Sequence, residues 1–137
     1  MPYDGAYPIT QYFGESPKVY QPLGYIGHHG VDIGLPMRTL VRCSLGGTVV
    51  LSGRTRELPG AGIYVVVKHD DRYSTVYMHL AEVAVHRGDV VEVGHLLGYS
   101  GNTGLSTGPH LHWGLRDFYQ MDNGYQGYVN PLERLKD

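Results

Sequence analysis

The sequence predicts an all-β protein, either a sandwich or a partly open barrel of antiparallel strands. Glycine is abundant, with 20 residues in 137, prolines number eight, and charged residues make up only 18 % of the chain. From residue 31 onward, short apolar runs alternate with turn signals. Many turns between short strands account for all of these features.

The strands follow one another with little helix between them. Residues 1–27 are rich in Gly, Pro and Tyr and indicate an ordered arm or a long loop with one short strand. One helical turn is predicted at 132–136. The predicted strands are 9–13, 48–51, 63–68, 74–80, 89–93, 96–99 and 110–116. No repeat or linker divides the chain, so we expect one domain over 1–137 with flexible ends at 1–8 and 135–137.

Composition argues against several classes of partner. The net charge is −2 and the basic residues are scattered, so nucleic-acid binding is not expected. No apolar run approaches the roughly 20 residues of a membrane span. The N-terminus lacks a basic segment followed by an apolar one, so we expect no signal peptide. The chain would then be cytosolic as made, exported by another route, or cut from a precursor.

Histidines on two predicted strands carry the first functional signal. Side chains on a strand alternate between its faces, so His110 and His112 share one face. The same rule puts Thr75, Tyr77 and His79 on one face of the strand at 74–80. Each strand therefore sets histidine against an aliphatic face.

A third histidine group precedes the first of these strands. His28 and Asp32 are four residues apart, so an extended segment places them on the same face, whereas His29 and Asp32 would point to opposite faces. Parity therefore favours His28 as the partner of Asp32. Gly30 lets the backbone bend or approach closely.

These residues suit a zinc ion. Catalytic zinc sites use three protein ligands and leave a fourth position open, and His28, Asp32 and His112 supply three. His79 and His110 remain as unligated histidines nearby, which favours a catalytic over a structural site. The spacing alone is equally compatible with histidine pairs that lie at the surface or pack in the core and bind no metal.

Three segments resemble motifs of the lysostaphin-type, or LytM-type, zinc metalloendopeptidases, which are peptidoglycan hydrolases. They are HHGVDIG at 28–34, YMHL at 77–80 and SGNTGLSTGPHLHW at 100–113. The resemblance covers nearly the whole chain, with loops of its own at 15–27, 54–61 and 118–128.

The resemblance implies a two-layer antiparallel β fold with an open groove. It implies that His28, Asp32 and His112 bind one Zn²⁺ per chain and that His110 is the general base. His79 would assist by holding water or by steadying the oxyanion. The implied activity is cleavage of peptide bonds in bacterial peptidoglycan, in the stem or in the cross-bridge. The chain is expected to act as a monomer on the periplasmic or extracellular side, as a phage-encoded enzyme or an excised domain.

Substrate contacts are expected from the loops around this site. Glycines in the 100–109 loop suit either a close approach of backbone to an extended peptide or simple turns. The loop tyrosines would either line the side of the groove or pack over a small core. The residues expected to bind substrate are Tyr77, Asn102, Thr107, Tyr119 and Tyr125.

Two rival functions have sequence features of their own. Some relatives with this fold are non-catalytic binding modules that have lost metal ligands, whereas every site position is occupied here. The segment 85–98 also resembles the hammerhead of biotinyl and lipoyl carrier domains. A carrier needs a lysine at a hairpin tip, and Lys18, Lys68 and Lys136 lie in no such motif.

Overall fold

The chain folds around an antiparallel sheet. The computed structural model describes residues 1–135. Two short helices, α1 (Pro17–Tyr20) and α2 (Pro131–Arg134), and a 3₁₀ turn at Gln21–Leu23 lie around the sheet. The strands are β1 (Ile9–Gln11), β2 (Val31–Ile33), β3 (Leu40–Arg42), β4 (Gly47–Gly53), β5 (Ile63–Lys68), β6 (Tyr73–Val83), β7 (Val90–Val91), β8 (Leu96–Ser100), β9 (Leu111–Asp117) and β10 (Tyr128–Val129).

The strand order explains how distant segments meet. The main path runs β1-β2-β9-β6-β5-β4-β7, and every pair along it is antiparallel. Off this path, β10 pairs with β9, while β8 pairs with both β3 and β6. The sheet stays open, because β1 and β7 lie at opposite ends of the path. The predicted all-β antiparallel fold is confirmed.

Alternation along the strands separates two apolar clusters. Val65 and Val67 of β5 and Trp113 of β9 point into the main core. Their neighbours Tyr64 and Val66 contribute to a second cluster on the opposite face. Apolar side chains on both faces explain why β5 reads as a continuous apolar run rather than a strict alternation.

The boundaries differ from the sequence predictions in places. β6 extends to Val83 instead of ending at residue 80, and the strand predicted at 89–93 shrinks to Val90–Val91. The C-terminal helix begins at Pro131, because Asn130 caps it by accepting a hydrogen bond from the Leu132 backbone N–H at 3.1 Å. Its predicted end at residue 136 lies outside the described residues. None of the helices within 1–135 has the length and apolar character needed to cross a membrane.

A buried carboxylate fastens α2 to the sheet. Asp117 at the end of β9 is fully buried and accepts two hydrogen bonds from Arg72, each of 2.9 Å. Arg134 of α2 donates a further hydrogen bond at 3.3 Å. The hydrogen bonds from Arg72 hold the pKa of Asp117 below its usual range. The clamp joins the β5–β6 turn, β9 and α2.

Candidate metal centre and cleft

Strand pairing brings the candidate metal ligands together. In the β2–β9 register, Asp32 lies directly opposite His112. His28 lies three residues before β2, and its side chain contacts both Asp32 and His112. Its Nε2 lies 3.1 Å from Asp32 Oδ1 and 3.1 Å from His112 Nδ1. His28, not His29, therefore meets Asp32, as parity predicted.

The three donor atoms form a triangle of the size that zinc requires. The third side, from His112 Nδ1 to Asp32 Oδ1, measures 3.0 Å. Tetrahedral ligands at 2.0–2.1 Å from zinc lie roughly 3.3 Å apart, so a small expansion of the triangle accommodates the ion. His28 and His112 are buried, and the side chain of Asp32 is 14 % exposed. The donor set and its spacing fit Zn²⁺.

The protonation states also suit a metal. Burial raises the pKa of Asp32, but contacts with His112 and His28 more than offset this, and the pKa lies well below its usual value. Burial lowers the pKa of His112. An ionised carboxylate and a neutral imidazole are the forms that bind metal.

Backbone carbonyls fix the orientation of three imidazoles. The Nδ1–H groups of His28, His79 and His110 donate to the carbonyls of Tyr12, Thr103 and Gly108, at 3.2, 2.7 and 2.9 Å. Only a protonated nitrogen can pair with a carbonyl oxygen, so Nε2 carries the lone pair in each neutral ring. In all three rings, Nε2 is the nitrogen left available for metal or proton chemistry.

His110 lies beside the donor triangle without belonging to it. Its Nε2 is 3.7 Å from Asp32 Oδ2, and its ring centroid is 4.7 Å from that of His79. Ser106 Oγ lies 3.1 Å from His110 Nδ1 and supports the ring from behind. The lone pair on Nε2 is therefore held next to the candidate metal position.

His79 reaches the cleft through a break in β6. Met78 makes the last pair with β9, and Leu80 makes the first pair with β8. Between them, His79 adopts a φ of 66°, which is uncommon for a non-glycine residue. The turn reverses its side chain, and burial lowers its pKa to about 4.

The shared face predicted for Tyr77 and His79 is therefore wrong. Tyr77 is fully buried in the main core, and its hydroxyl contacts Ser44 and Thr75. Alternation would be correct for a regular strand, but the positive φ shifts His79 to the other side. The cleft-facing neighbour is Met78.

His29 and Gly30 pack behind the metal centre. The His29 ring stacks on Tyr25, with centroids 4.1 Å apart and planes 7° apart. Burial lowers the pKa of His29 to about 2. A Cβ on Gly30 would lie 2.6 Å from His112 Nε2 and 2.7 Å from the Trp113 carbonyl oxygen. Glycine is required here because the backbone touches the imidazole.

A cavity of about 530 Å³ opens above these groups. Tyr20, Leu23 and Tyr25 of the arm form one wall, and Leu105 and residues 57–61 form the other. Tyr128 also lines the cavity. The sequence analysis did not predict that the arm lines the cavity. The tyrosines just before His28 were the feature that could have indicated it.

The residues expected to bind substrate lie elsewhere. Asn102 and Thr107 are exposed and do not line the cavity. Tyr119 lies under Arg72, whose guanidinium carbon is 5.0 Å from the ring centroid. Tyr125 packs on Phe13 with centroids 4.5 Å apart. These four residues and the buried Tyr77 lie outside the lining of the cavity, and their role in substrate binding stays a prediction.

A family model matches the part of the chain that carries the site. The family model "Peptidase family M23" matches residues 26–131. Peptidoglycan DD-endopeptidase ShyA of Vibrio cholerae is 47 % identical over 88 residues, which are 64 % of this chain and 20 % of ShyA. Glycyl-glycine endopeptidase ALE-1 of Staphylococcus capitis is 39 % identical over 119 residues, 84 % of this chain and 31 % of ALE-1. The chain spans between a fifth and a third of the length of these two relatives.

Solved structures show the same fold. The catalytic domain of lysostaphin from Staphylococcus simulans superposes with a TM-score of 0.78 at 29 % identity, covering 96 % of this chain and 93 % of that domain. A zinc-containing peptidase from Vibrio cholerae gives a TM-score of 0.74 at 33 % identity, covering 93 % of this chain and 37 % of that one. The resemblance seen in the sequence is confirmed, and the chain belongs to peptidase family M23.

Proposed function

We propose that the chain is a zinc-dependent endopeptidase that hydrolyses peptide bonds in bacterial peptidoglycan. The observation that carries this proposal is the triangle of His28, Asp32 and His112 with the free Nε2 of His110 beside it. The names of ShyA and ALE-1 describe peptidoglycan and glycyl-glycine endopeptidases. Both relatives are much longer than this chain, so their activities are carried over here as a proposal.

The metal and the protein have separate tasks. When bound by His28, Asp32 and His112, Zn²⁺ acts as a Lewis acid and lowers the pKa of a coordinated water toward 7. The single carboxylate ligand leaves the centre with net positive charge. One such ion per chain is expected, because His28, Asp32 and His112 are the candidate metal-binding group found in residues 1–135.

His110 is proposed as the general base. Its Nδ1–H is occupied by the Gly108 carbonyl, so Nε2 is free to accept a proton from the attacking water. The same Nε2–H can then protonate the leaving amine, which returns His110 to its neutral form. The glutamate base of helical H-E-x-x-H proteases is absent from this sequence.

His79 is proposed to orient water rather than to donate to the oxyanion. Its Nδ1–H pairs with the Thr103 carbonyl at 2.7 Å, and burial lowers its pKa to about 4. The neutral ring therefore offers a hydrogen-bond acceptor, not a donor, at Nε2. An acceptor can hold one hydrogen of a water molecule while His110 removes the other.

The sheet face provides room for an extended peptide. A second cavity of about 600 Å³ continues from the first along the same face and shares Leu58, Arg116 and Tyr128 with it. Met78 lines the first cavity and Ser74 the second. Four residues of strand separate them by about 13 Å, the length of roughly four substrate residues. A groove that continues past the metal centre suits an enzyme that cuts within a chain.

We also propose that the enzyme works as a monomer on the periplasmic or extracellular side, where peptidoglycan lies. The site needs no second copy of the chain, since every ligand and both additional histidines belong to one chain. Size-exclusion chromatography with light scattering at working concentration tests this.

Digestion of two chemically different peptidoglycans tests the activity. One should carry glycine bridges and the other direct D-Ala–diaminopimelate cross-links. The zinc-loaded chain is expected to release new amino termini from at least one of them, and mass analysis of the fragments identifies the bond. His28→Ala should abolish release, and His86→Ala, outside the site, should not. If the zinc-loaded chain releases nothing from either substrate, the proposed function is wrong.

A further inference from the structure

One ring nitrogen of the metal centre lacks a hydrogen-bond partner. His112 differs from His28, His79 and His110 in presenting Nδ1, rather than Nε2, to the donor triangle. Its Nε2 points away, is buried, and finds no partner within residues 1–135. A neutral imidazole that binds metal through Nδ1 carries its proton on Nε2. This N–H therefore needs an acceptor in the zinc-loaded protein.

A second unpartnered nitrogen lies close by. His29 Nδ1 is also buried and finds no partner in the described part of the chain. The His29 and His112 rings are 4.7 Å apart, centroid to centroid, with planes 43° apart. No other buried side-chain nitrogen or oxygen in residues 1–135 lacks a partner, apart from Trp113 Nε1. A His112 ring that binds zinc through Nδ1 carries a hydrogen-bond donor at Nε2, and a neutral His29 ring protonated at Nε2 offers an acceptor at Nδ1.

The surrounding residues hold His29 in position. Tyr25 stacks on one side of the ring at 4.1 Å, and Tyr128 meets it edge-on at 5.2 Å. Gly30 fills the space directly against His112 Nε2, where even a methyl group would lie at 2.6 Å. Gly30 has no side chain to supply an acceptor, and the neighbouring His29 ring, 4.7 Å away centroid to centroid, has an unpartnered buried nitrogen.

We infer that His29 is a positioning residue for zinc: its Nδ1, which makes no hydrogen bond with His112 in this structure, accepts one from His112 Nε2–H through a bridging water molecule in the zinc-loaded protein. The inference rests on the proposed function, since it takes His112 as a ligand through Nδ1. The acceptor fixes the tautomer and the orientation of the ligating ring. Outer partners of this kind typically change metal affinity by about 10- to 100-fold.

Two substitutions separate hydrogen bonding from packing. His29→Phe keeps a ring to stack on Tyr25 but removes the acceptor. His29→Asn removes the stacking ring but keeps an acceptor near the position of Nδ1. Zinc dissociation constants of the purified 137-residue variants are measured by competition with a chromophoric chelator. Thermal unfolding of the metal-free forms checks that each variant folds.

Zinc binding by His29→Phe is expected to weaken by about 10- to 100-fold, whereas His29→Asn should stay close to wild type. In proton NMR of the zinc-loaded protein, an exchange-protected His112 Nε2–H signal is expected in wild type and not in His29→Phe. The reverse order, with His29→Phe binding like wild type and His29→Asn binding weakly, would show that His29 only packs.

A His112→Ala control distinguishes an error in the proposed ligand set from an error in the role of His29. If wild type binds no zinc, or if His112→Ala binds it as tightly as wild type, the proposed ligand set is wrong. If wild type binds zinc, His112→Ala does not, and His29→Phe equals wild type, only the role of His29 is refuted.

Discussion

Replacing Gly30 by alanine should damage both stability and zinc binding. The new Cβ would lie 2.6 Å from His112 Nε2, 2.7 Å from His112 Cε1 and 2.7 Å from the Trp113 carbonyl oxygen. The carbonyl belongs to β9, which is fixed between β2 and β6 and cannot retreat. The backbone at Gly30 or the His112 ring must therefore move.

The size of the effect follows from overpacking. Forcing an extra methyl group into a packed site costs about 1–3 kcal/mol. For a domain of this size, each kcal/mol lowers Tm by roughly 3–4 °C. We therefore expect the metal-free variant to unfold about 3–12 °C below wild type. Zinc should also bind more weakly, because a displaced His112 ring loses its 3.0 Å contact with Asp32.

Thermal unfolding followed by circular dichroism, together with zinc titration against a chelator, measures both effects. Gly108→Ala is the matched control, since a Cβ there meets nothing within 4 Å and its backbone lies outside the left-handed region. The control should unfold within a few degrees of wild type. If Gly30→Ala matched the control in both Tm and zinc affinity, the close packing of this loop against His112 would be disproved.

Three further predictions concern the base, the metal and the clamp. His110→Ala should lower kcat/KM by about 10²- to 10⁴-fold while zinc stoichiometry, measured by metal analysis, stays unchanged; loss of zinc would mean that His110 and His112 exchange roles. Removal of zinc by a chelator should abolish hydrolysis. Adding zinc at about 1,000 times its Kd should restore activity and raise the free energy of unfolding by about 4 kcal/mol. An unchanged Tm on adding zinc would contradict this prediction. Asp117→Asn should lower the denaturation midpoint at pH 7. The pKa of Asp117 is lower in the folded protein than in the unfolded chain. The ionised carboxylate therefore stabilises the fold above the unfolded pKa of about 3.9, and this stabilisation is lost as the pH falls through the folded pKa. The difference from wild type should therefore shrink by pH 3, and a constant difference in urea midpoints would count against the clamp.

The longer strands were predictable because alternation has room to repeat. The strand at Ile63–Lys68 was found with its observed bounds, and the strands carrying His79 and His112 were found with ends that differ by a few residues. β2 and β3 have three residues each, and β10 has two, which is too short for a period of two to be recognised. The pairing of β2 and β3 also depends on partners far away in sequence.

The candidate metal centre was accessible from the spacing of its residues and from the resemblance of three segments to family motifs. Parity on extended segments chose His28 over His29, and the structure places His28 against Asp32. Parity failed at His79, where one backbone angle reverses the side chain. The walls of the cleft were missed because the arm and loops that form them have no period. Their side-chain directions are set by contacts such as the stacking of Tyr25 on His29.

Main-chain oxygens, not side chains, orient three of the imidazoles. Tyr12, Thr103 and Gly108 contribute carbonyl groups that any amino acid would supply equally well. Mutational drift at these loop positions can therefore alter the outer surface while the chemical apparatus is preserved, provided that the loop paths are kept. Substrate preference and catalytic competence are in this way separable traits, and new specificities can evolve in the loops without rebuilding the centre.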